Sequence, residues 1–350
     1  METIKVITIT KKGSSPHWHR VEYPLNKING LEIEDKKVEI VFKEFNKETF
    51  IQDVEGFNIL VYHFNIEIDI KNLEELKKKG VKIVYSVDDA FGKDDYSVMH
   101  PYYNNDFVKT YTEYRIAQQI KNATCLIVPT ERLMLHCKNL NNNIAILPNF
   151  LDKNDFKIEE KTISEKLRIG FVNSVSHYPD MLMFKQVLNR LAKNKTITEN
   201  VEFHIYGYIK EDRYWTEIID MFKKKKNISL VLKEYVSIED YLTLYKDLDV
   251  CLIPLEYVEF NLCKSSLKLI ECAFTNTLPV GSSLYSTKEL KGIVVAESPL
   301  EYEQTILKLL DKEYYNQVLN YVTEVNLKDN NYKERFENTL KVINTVYTEL

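Results

Sequence analysis

Residues 57–87 read FNILVYHFNIEIDIKNLEELKKKGVKIVYSV. The run 57–64 is nearly continuous in apolar side chains, which suits a strand buried on both faces of a parallel sheet. A charged helix follows at 73–79 and stops at Gly80, a residue suited to the left-handed position after a helix C-terminus. A second apolar run, 81–87, then leads into Asp88-Asp89. Strand, helix, strand is the repeating unit of a parallel, doubly wound sheet.

The alternation continues on both sides of this segment. Upstream, 4–9 and 38–42 read as strands, with a loop through Gly13-Ser14-Ser15 and on past His17, Trp18 and His19. Downstream come a long irregular segment at 90–105, a helix at 107–122, a strand at 125–128, a helix at 131–139 and a strand at 144–147. Residues 152–166 are charged and lack apolar period. Strands then recur at 167–172, 201–206, 228–232, 250–254, 278–281 and 293–295, separated by helices at 181–191, 215–226, 238–245 and 266–274. Helices fill most of 300–350. The fold class this predicts is α/β, with two Rossmann-like doubly wound parallel-sheet domains. They would span 1–155 and 167–330, joined by a linker at 156–166, with a final helix at 331–350 returning to the first domain. Ligands of such sheets sit at the carboxyl ends of the strands, here in the cleft between the halves.

Composition narrows the class further. The chain has 350 residues, 44% of them hydrophobic, enough for sizeable cores, and at ~100–200 residues per domain it suits two domains. Nine glycines and nine prolines are too few for collagen-like or low-complexity chains. A net charge of −5 offers no general basic excess for nucleic acid. The five cysteines form no C-x-x-C pair, which suits reduced, buried thiols and suggests no zinc site. No apolar stretch approaches the ~18–20 residues that span a bilayer, and residues 1–10 lack a signal-peptide core. A cytoplasmic protein is expected, and any membrane contact would be peripheral.

The segment with most chemistry is 254–282, PLEYVEFNLCKSSLKLIECAFTNTLPVGS. A strand ends at Pro254, and a helix opens near Ser265-Ser266, where serine suits capping of free amides. Those amides and the helix dipole also attract phosphate. Lys264, Lys268 and Glu271 fall on one helix face, and Leu267, Ile270 and Phe274 on the other. Lysines neutralise phosphate, and a carboxylate accepts hydrogen bonds from ribose hydroxyls. A nucleoside-diphosphate site and a solvated amphipathic helix both fit this spacing.

The segment resembles the donor motif of GT-B glycosyltransferases, in the retaining group known as family four. One branch carries Asn-x-x-Lys-Ser-x-x-Lys-x-x-Glu followed by Pro-Val; here stand Asn261, Lys264, Ser265, Lys268, Glu271 and Pro279-Val280. The branch also has a strand and a loop with His-x-x-Asp, matched by His177 and Asp180 after 169–172. In the first half, His19-Arg20-Val21 with Pro24, Ser86-Val87-Asp88-Asp89 and Leu147-Pro148-Asn149 resemble further motifs, in the same order along residues 1–330.

The resemblance implies a transferase that uses a nucleotide-diphosphate sugar, UDP or GDP, with retention and with neither cofactor nor metal. It implies that Glu271 holds the donor ribose, and that Lys264 with the amides of Ser265 and Ser266 faces the diphosphate. Asn173, Ser174 and His177 would lie beside the diphosphate or sugar, and the loop at Tyr235 and Val236 would meet the base. Asn261 and Lys268 complete the donor set. Lys264, Asp88 and Asp89 are the catalytic candidates, and Trp18, His19, Arg20 and His100 the acceptor candidates. The acceptor class stays open among a saccharide, a lipid-linked glycan, a protein and a modified DNA base.

The chain also departs from the family. Cys263 stands where many relatives carry an acid, and Asp88-Asp89 where many carry a histidine. The two aspartates could bond an acceptor hydroxyl or a donor sugar, or could cap a helix. Gly13-Ser14-Ser15 is a thin version of a Gly-rich first loop. Asp247-Leu248-Asp249 spells a metal-binding Asp-x-Asp but precedes its strand rather than following one, so it reads as structural. Lys223 to Lys226 suit a helix C-terminus. His63 fits core or cleft equally, and His100 lies in a loop long enough to act as a lid. Rival readings are a nucleotide-sugar epimerase of the same fold, a phage-type enzyme that glycosylates a hydroxylated DNA base, and a non-catalytic nucleotide-binding relative.

Overall fold

The computed structural model describes residues 1–11, 13–284 and 292–350. Two sheets organise it. The first contains β1 (Glu2–Thr10), β2 (Glu32–Ile33), β3 (Lys36–Glu44), β4 (Ile59–His63), β5 (Lys82–Ser86), β6 (Cys125–Val128) and β7 (Ile144–Ile146), in spatial order β2-β3-β1-β4-β5-β6-β7. Every pairing is parallel except the β2–β3 edge. The second contains β8 (Leu167–Val172), β9 (Val201–Tyr208), β10 (Ser229–Glu234), β11 (Val250–Ile253), β12 (Leu278–Gly281) and β13 (Val294–Val295), in the all-parallel order β10-β9-β8-β11-β12-β13.

The central strands lack polar alternation because helices cover both faces. All of β4 is buried, Ile59 to His63, as is all of β11. One side of the first sheet packs Leu60, Tyr62, Ile83 and Tyr85 against Leu73, Leu76 and Ile116. The other side packs Ile4, Val6, Val61 and Val84 against Leu340, Ile343 and Val346 of the helix Tyr332–Thr348. The last helix of the chain therefore forms part of the first domain's core. The order in which successive strands are laid down reverses between β1 and β4 in one sheet and between β8 and β11 in the other, while these strands stay parallel. These are the switch points where crevices open at the strands' carboxyl ends.

Local structure differs from the sequence expectation in three places that matter. The loop expected around His17, Trp18 and His19 is helical: Ser15–His17, a π-turn over Trp18–Glu22, then Tyr23–Ile28. Ser14 accepts the His17 amide at 3.4 Å and starts the segment. Pro24 has no amide to complete a regular turn, and the wide turn closed by Tyr23 N–H on Trp18 O takes up the mismatch. The helix expected at 238–245 is a 3₁₀ segment, Tyr241–Asp247. The helix expected to open near 265 begins at Leu267, so Lys264 precedes it. Lys264 therefore does not share a helix face with Lys268 and Glu271.

Asp247 and Asp249 are structural. Asp249 takes the Arg168 guanidinium on both oxygens, at 2.7 and 3.0 Å, and Asp247 pairs with Lys233. All five cysteines are buried thiols. Among the described residues no helix is long and apolar enough to cross a membrane.

Candidate functional site

A cleft of about 400 Å³ opens between the two domains at the carboxyl ends of both sheets. Its second-domain wall is built from three turns. β8 stops at Val172 and the chain bends through Asn173, Ser174 and His177, all of which line the cleft. Gly207, at the neighbouring strand end, has φ +85, and a Cβ there would lie 2.7 Å from the Asn173 carbonyl. Glycine lets these two chains approach that closely. Tyr235 and Val236, after β10, close the far end.

The third turn follows β11. The helix Leu267–Phe274 points its N-terminus at the cleft, and Ser266, its N-cap, makes no side-chain hydrogen bond to the first-turn amides. The serines are engaged elsewhere: Ser265 Oγ accepts from Asn149 Nδ2 at 2.8 Å, and Ser266 Oγ donates to Asp329 at 3.4 Å. The first-turn amides thus lack the side-chain cap that the sequence suggested, and such amides with the helix dipole suit an anion.

Glu271, one turn into that helix, is buried and lines the cleft. Its Oε2 accepts from Tyr245 Oη at 2.8 Å and pairs with Lys268 Nζ at 3.0 Å. Lys268 also donates to the Val172 carbonyl at 2.8 Å and to Tyr245 Oη at 3.2 Å. Burial works against the Lys268 charge, but Glu271 outweighs it and holds the ammonium above its ordinary pKa. Lys268 therefore ties Glu271 to the end of β8. Removing one partner of such a pair leaves an uncompensated charge, which is why these groups act as a unit.

Lys264 reaches in the other direction. Its Nζ meets Asp89 Oδ1 at 2.8 Å across the domain boundary and lies 4.0 Å from the Phe260 ring centroid. Asp88 stands beside it, with Oδ1 3.0 Å from His63 Nε2. The environment pushes these adjacent carboxyls apart. Burial tends to raise Asp88, but His63, Arg20 and Lys264 overcome it and hold that carboxyl below its usual range. Burial raises Asp89, Lys264 only partly offsets this, and Asp88 adds to the rise. Neighbouring carboxyls with opposed shifts are a common feature of functional sites.

Of the acceptor candidates, His19 lines the cleft; burial keeps it neutral, with its pKa lowered to about 4. Trp18 faces an adjoining depression shared with Glu22 and Ile238 and packs on Tyr23 and Phe156. Arg20 is buried behind the cleft and donates to the Leu147 carbonyl at 2.6 Å and to Asn149 Oδ1 at 2.7 Å. Asn149 passes this contact on to Ser265, so Arg20 reaches the donor-side helix through one amide. His100 is buried in an aromatic group with Tyr96, Tyr103 and Phe260, and its Nδ1 accepts the Tyr102 amide at 3.2 Å.

Asn261 does not line the cleft. Its Nδ2 donates to Asp180 Oδ1 at 2.8 Å, while Asp180 Oδ2 contacts His177 Nδ1 at 2.8 Å. Asn261 and Asp180 thus orient His177. His177 and Asp180 are the two residues that match the family's His-x-x-Asp motif, and the structure pairs them. Nothing in the spacing could reveal Tyr245 as a partner of Glu271, because that contact is made by a 3₁₀ turn from a distant segment.

No protein-family model matches the sequence, and no characterised protein matches it by sequence comparison. Solved structures do match its fold. A glycosyltransferase from Rickettsia africae superposes with a TM-score of 0.66 at 10% identity, covering 100% of this chain and 99% of that one. A TarM variant from S. aureus, in complex with fondaparinux, α-GlcNAc-glycerol and UDP, gives 0.60 at 14% identity; this chain spans 86% of its own length but 59% of TarM's. A structure from Listeria monocytogenes that carries the name of a UDP-N-acetylglucosamine 2-epimerase by assignment gives 0.60 at 11% identity, covering 99% of this chain and 98% of that one. Together with the two parallel sheets and the cleft between them, these likenesses show the GT-B fold, two Rossmann-like domains facing each other.

Proposed function

We propose that this protein is a glycosyltransferase that moves a sugar from a nucleoside-diphosphate sugar to a hydroxyl acceptor, with retention and without a metal ion. One juxtaposition carries the proposal. The uncapped helix start, Lys264 and buried Glu271 of one domain face Asp88 and Asp89 of the other across a single cleft.

The roles follow from the chemistry of each group. Glu271, fixed by Tyr245 and Lys268, accepts hydrogen bonds from the ribose hydroxyls. The first-turn amides of Leu267–Phe274 and the Lys264 ammonium take the diphosphate of UDP or GDP. Tyr235 and Val236 flank the base, and Asn173, Ser174 and His177 flank the phosphates and sugar. As the sugar–phosphate bond breaks, negative charge grows on the diphosphate, where a fixed cation and helix dipole stabilise it. The leaving phosphate oxygen remains on the face from which the acceptor approaches. It can take the acceptor proton, and that geometry retains configuration. Asp88, Asp89 and His19 form the acceptor wall. A diphosphate arriving at Lys264 competes with Asp89 for the same ammonium, so donor entry rearranges one of the contacts between the domains.

The test is product analysis by NMR with UDP- and GDP-sugars, with and without saccharide, lipid-linked and hydroxymethylated-DNA acceptors. The expected result is acceptor-dependent transfer with the donor's anomeric configuration, undiminished by EDTA. Loss in EDTA that Mg²⁺ or Mn²⁺ restores would contradict the metal-free step. Sugar isomerisation without any acceptor would point instead to epimerase chemistry, the activity named for the Listeria structure of similar fold.

A further inference from the structure

Outside the cleft, the first domain carries a second depression, of about 780 Å³, within the range of small-ligand sites. It lies between the loop after β4, the start of the helix Ile70–Lys78 and the helix Asp106–Asn122. On the last helix, Phe107, Tyr111, Tyr114 and Gln118 fall at i, i+4, i+7 and i+11, one continuous stripe about 16 Å long. Phe107 is 80% exposed, Tyr114 64% and Tyr111 48%. A row of water-facing aromatic rings is uncommon on a soluble surface without a partner.

The stripe is held in place. Tyr111 Oη donates to both Glu67 carboxylate oxygens, at 3.0 and 3.1 Å, and Arg115 Nη1 donates to the Phe64 carbonyl at 2.9 Å. Asn72 and Gln118 also line the depression, and among the described residues their side-chain amides have no hydrogen-bond partner. The lining charges balance: Lys47, Lys71 and Arg115 against Glu67, Asp69 and Glu74. A polyanion needs a cationic excess that is missing here. A purely apolar partner would bury those charges without compensation. A ligand with apolar faces and hydroxyl edges satisfies both constraints, since its C–H faces stack on the rings and its hydroxyls meet the amides and carboxylates.

The depression also shares elements with the cleft. β4, which runs into its rim loop, ends in His63, the partner of Asp88. The Asp106–Asn122 helix begins just after Tyr102, which lines the cleft. We propose that this depression is an accessory subsite for a neutral oligosaccharide, which holds a chain whose end is presented to the cleft. The inference rests on the glycosyltransferase reading above.

The experiment is saturation-transfer NMR and affinity measurement on the full chain. Maltohexaose, cellohexaose and chitohexaose are the neutral probes, with a heparin hexasaccharide and a DNA duplex as anionic controls. The comparison is with the Tyr114→Ala/Gln118→Ala variant, whose changes lie on an exposed face. Expected is binding of at least one neutral hexasaccharide, weakened tenfold or more in the variant, with nucleoside-diphosphate binding unchanged in both. Three outcomes would overturn the subsite: no neutral probe bound at millimolar concentration, binding indifferent to the variant, or preference for an anionic control. Self-association abolished by the same variant would assign the stripe to a protein interface and overturn it too. Absence of nucleoside-diphosphate binding in the wild-type chain is a separate readout and would count against the transferase reading itself.

Discussion

Lys264→Met is expected to lower kcat by about 10²–10³-fold, the effect of removing one preorganised group that stabilises transition-state charge. Lys264 is positioned for that task. It lies outside the helix, its ammonium reaches across the cleft to Asp89 at 2.8 Å, and the Phe260 ring supports it from one side. Lys268 cannot substitute, because its ammonium is already committed to Glu271, Tyr245 and the Val172 carbonyl. The fold should survive. The Lys264 and Asp89 side chains are each 20% exposed, so water reaches the carboxylate that the substitution leaves without its partner. Lys264→Arg, which keeps the charge but changes its shape, should retain more activity than the methionine variant. Steady-state kinetics with circular dichroism checks this. A methionine variant within a few-fold of wild type would remove Lys264 from the chemistry.

The second large effect is on stability in acid. Burial keeps three first-domain histidines neutral: the pKa of His17 is lowered to about 3, with His63 adding to the effect, and those of His19 and His100 to about 4. An unfolded chain protonates these rings near 6.5. As pH falls from 6.5 toward 4, the unfolded state takes up protons that the native state refuses, so stability falls throughout that window. By pH 4.5 each ring contributes a loss of about 2–3 kcal/mol, against a typical total of ~5–15 kcal/mol. His136 works in the opposite sense. Its hydrogen bond to Asp95 raises its pKa, so its contribution is complete at low pH and is lost as pH rises through the raised value. That ring is partly exposed and the three buried rings dominate. The expected melting temperature drops by more than about 10 °C between pH 7 and pH 4.5, and His19→Gln should flatten the decline. A pH-independent melting temperature over that range would contradict the buried, neutral state of these rings.

The parallel α/β architecture was legible because β4, β5, β8 and β11 are short apolar runs bounded by charged helices, a pattern that two-sided burial imposes. The Ser15–Ile28 helical segment was hidden. Its two prolines and three polar aromatic residues, His17, Trp18 and His19, read as loop, and only a π-turn makes Pro24 compatible with continued helix. The two-residue β2 carries no periodicity to detect. The segment from Asn261 to Glu271 brings Lys264, Ser265, Lys268 and Glu271 to the cleft but leaves Asn261 outside it, and the geometry differs from the expected one. Lys264 leaves the helix, and the serines bond Asn149 and Asp329 rather than capping. Contacts made across domains, such as Arg20 through Asn149 to Ser265, depend on the closed fold and leave no trace in local sequence.

The most direct measurement is a thermal-shift titration of the purified protein with UDP, GDP and TDP. A ligand at 100 times its Kd stabilises by about 2.7 kcal/mol, on the order of 5–10 °C for a chain of this size class. The predicted result is a selective shift with UDP or GDP that is lost in a folded Glu271→Gln variant, which keeps the shape of the side chain and its bond to Tyr245 while removing the charge. Folded wild-type protein that no nucleoside diphosphate stabilises would contradict the donor site on which the proposed activity rests.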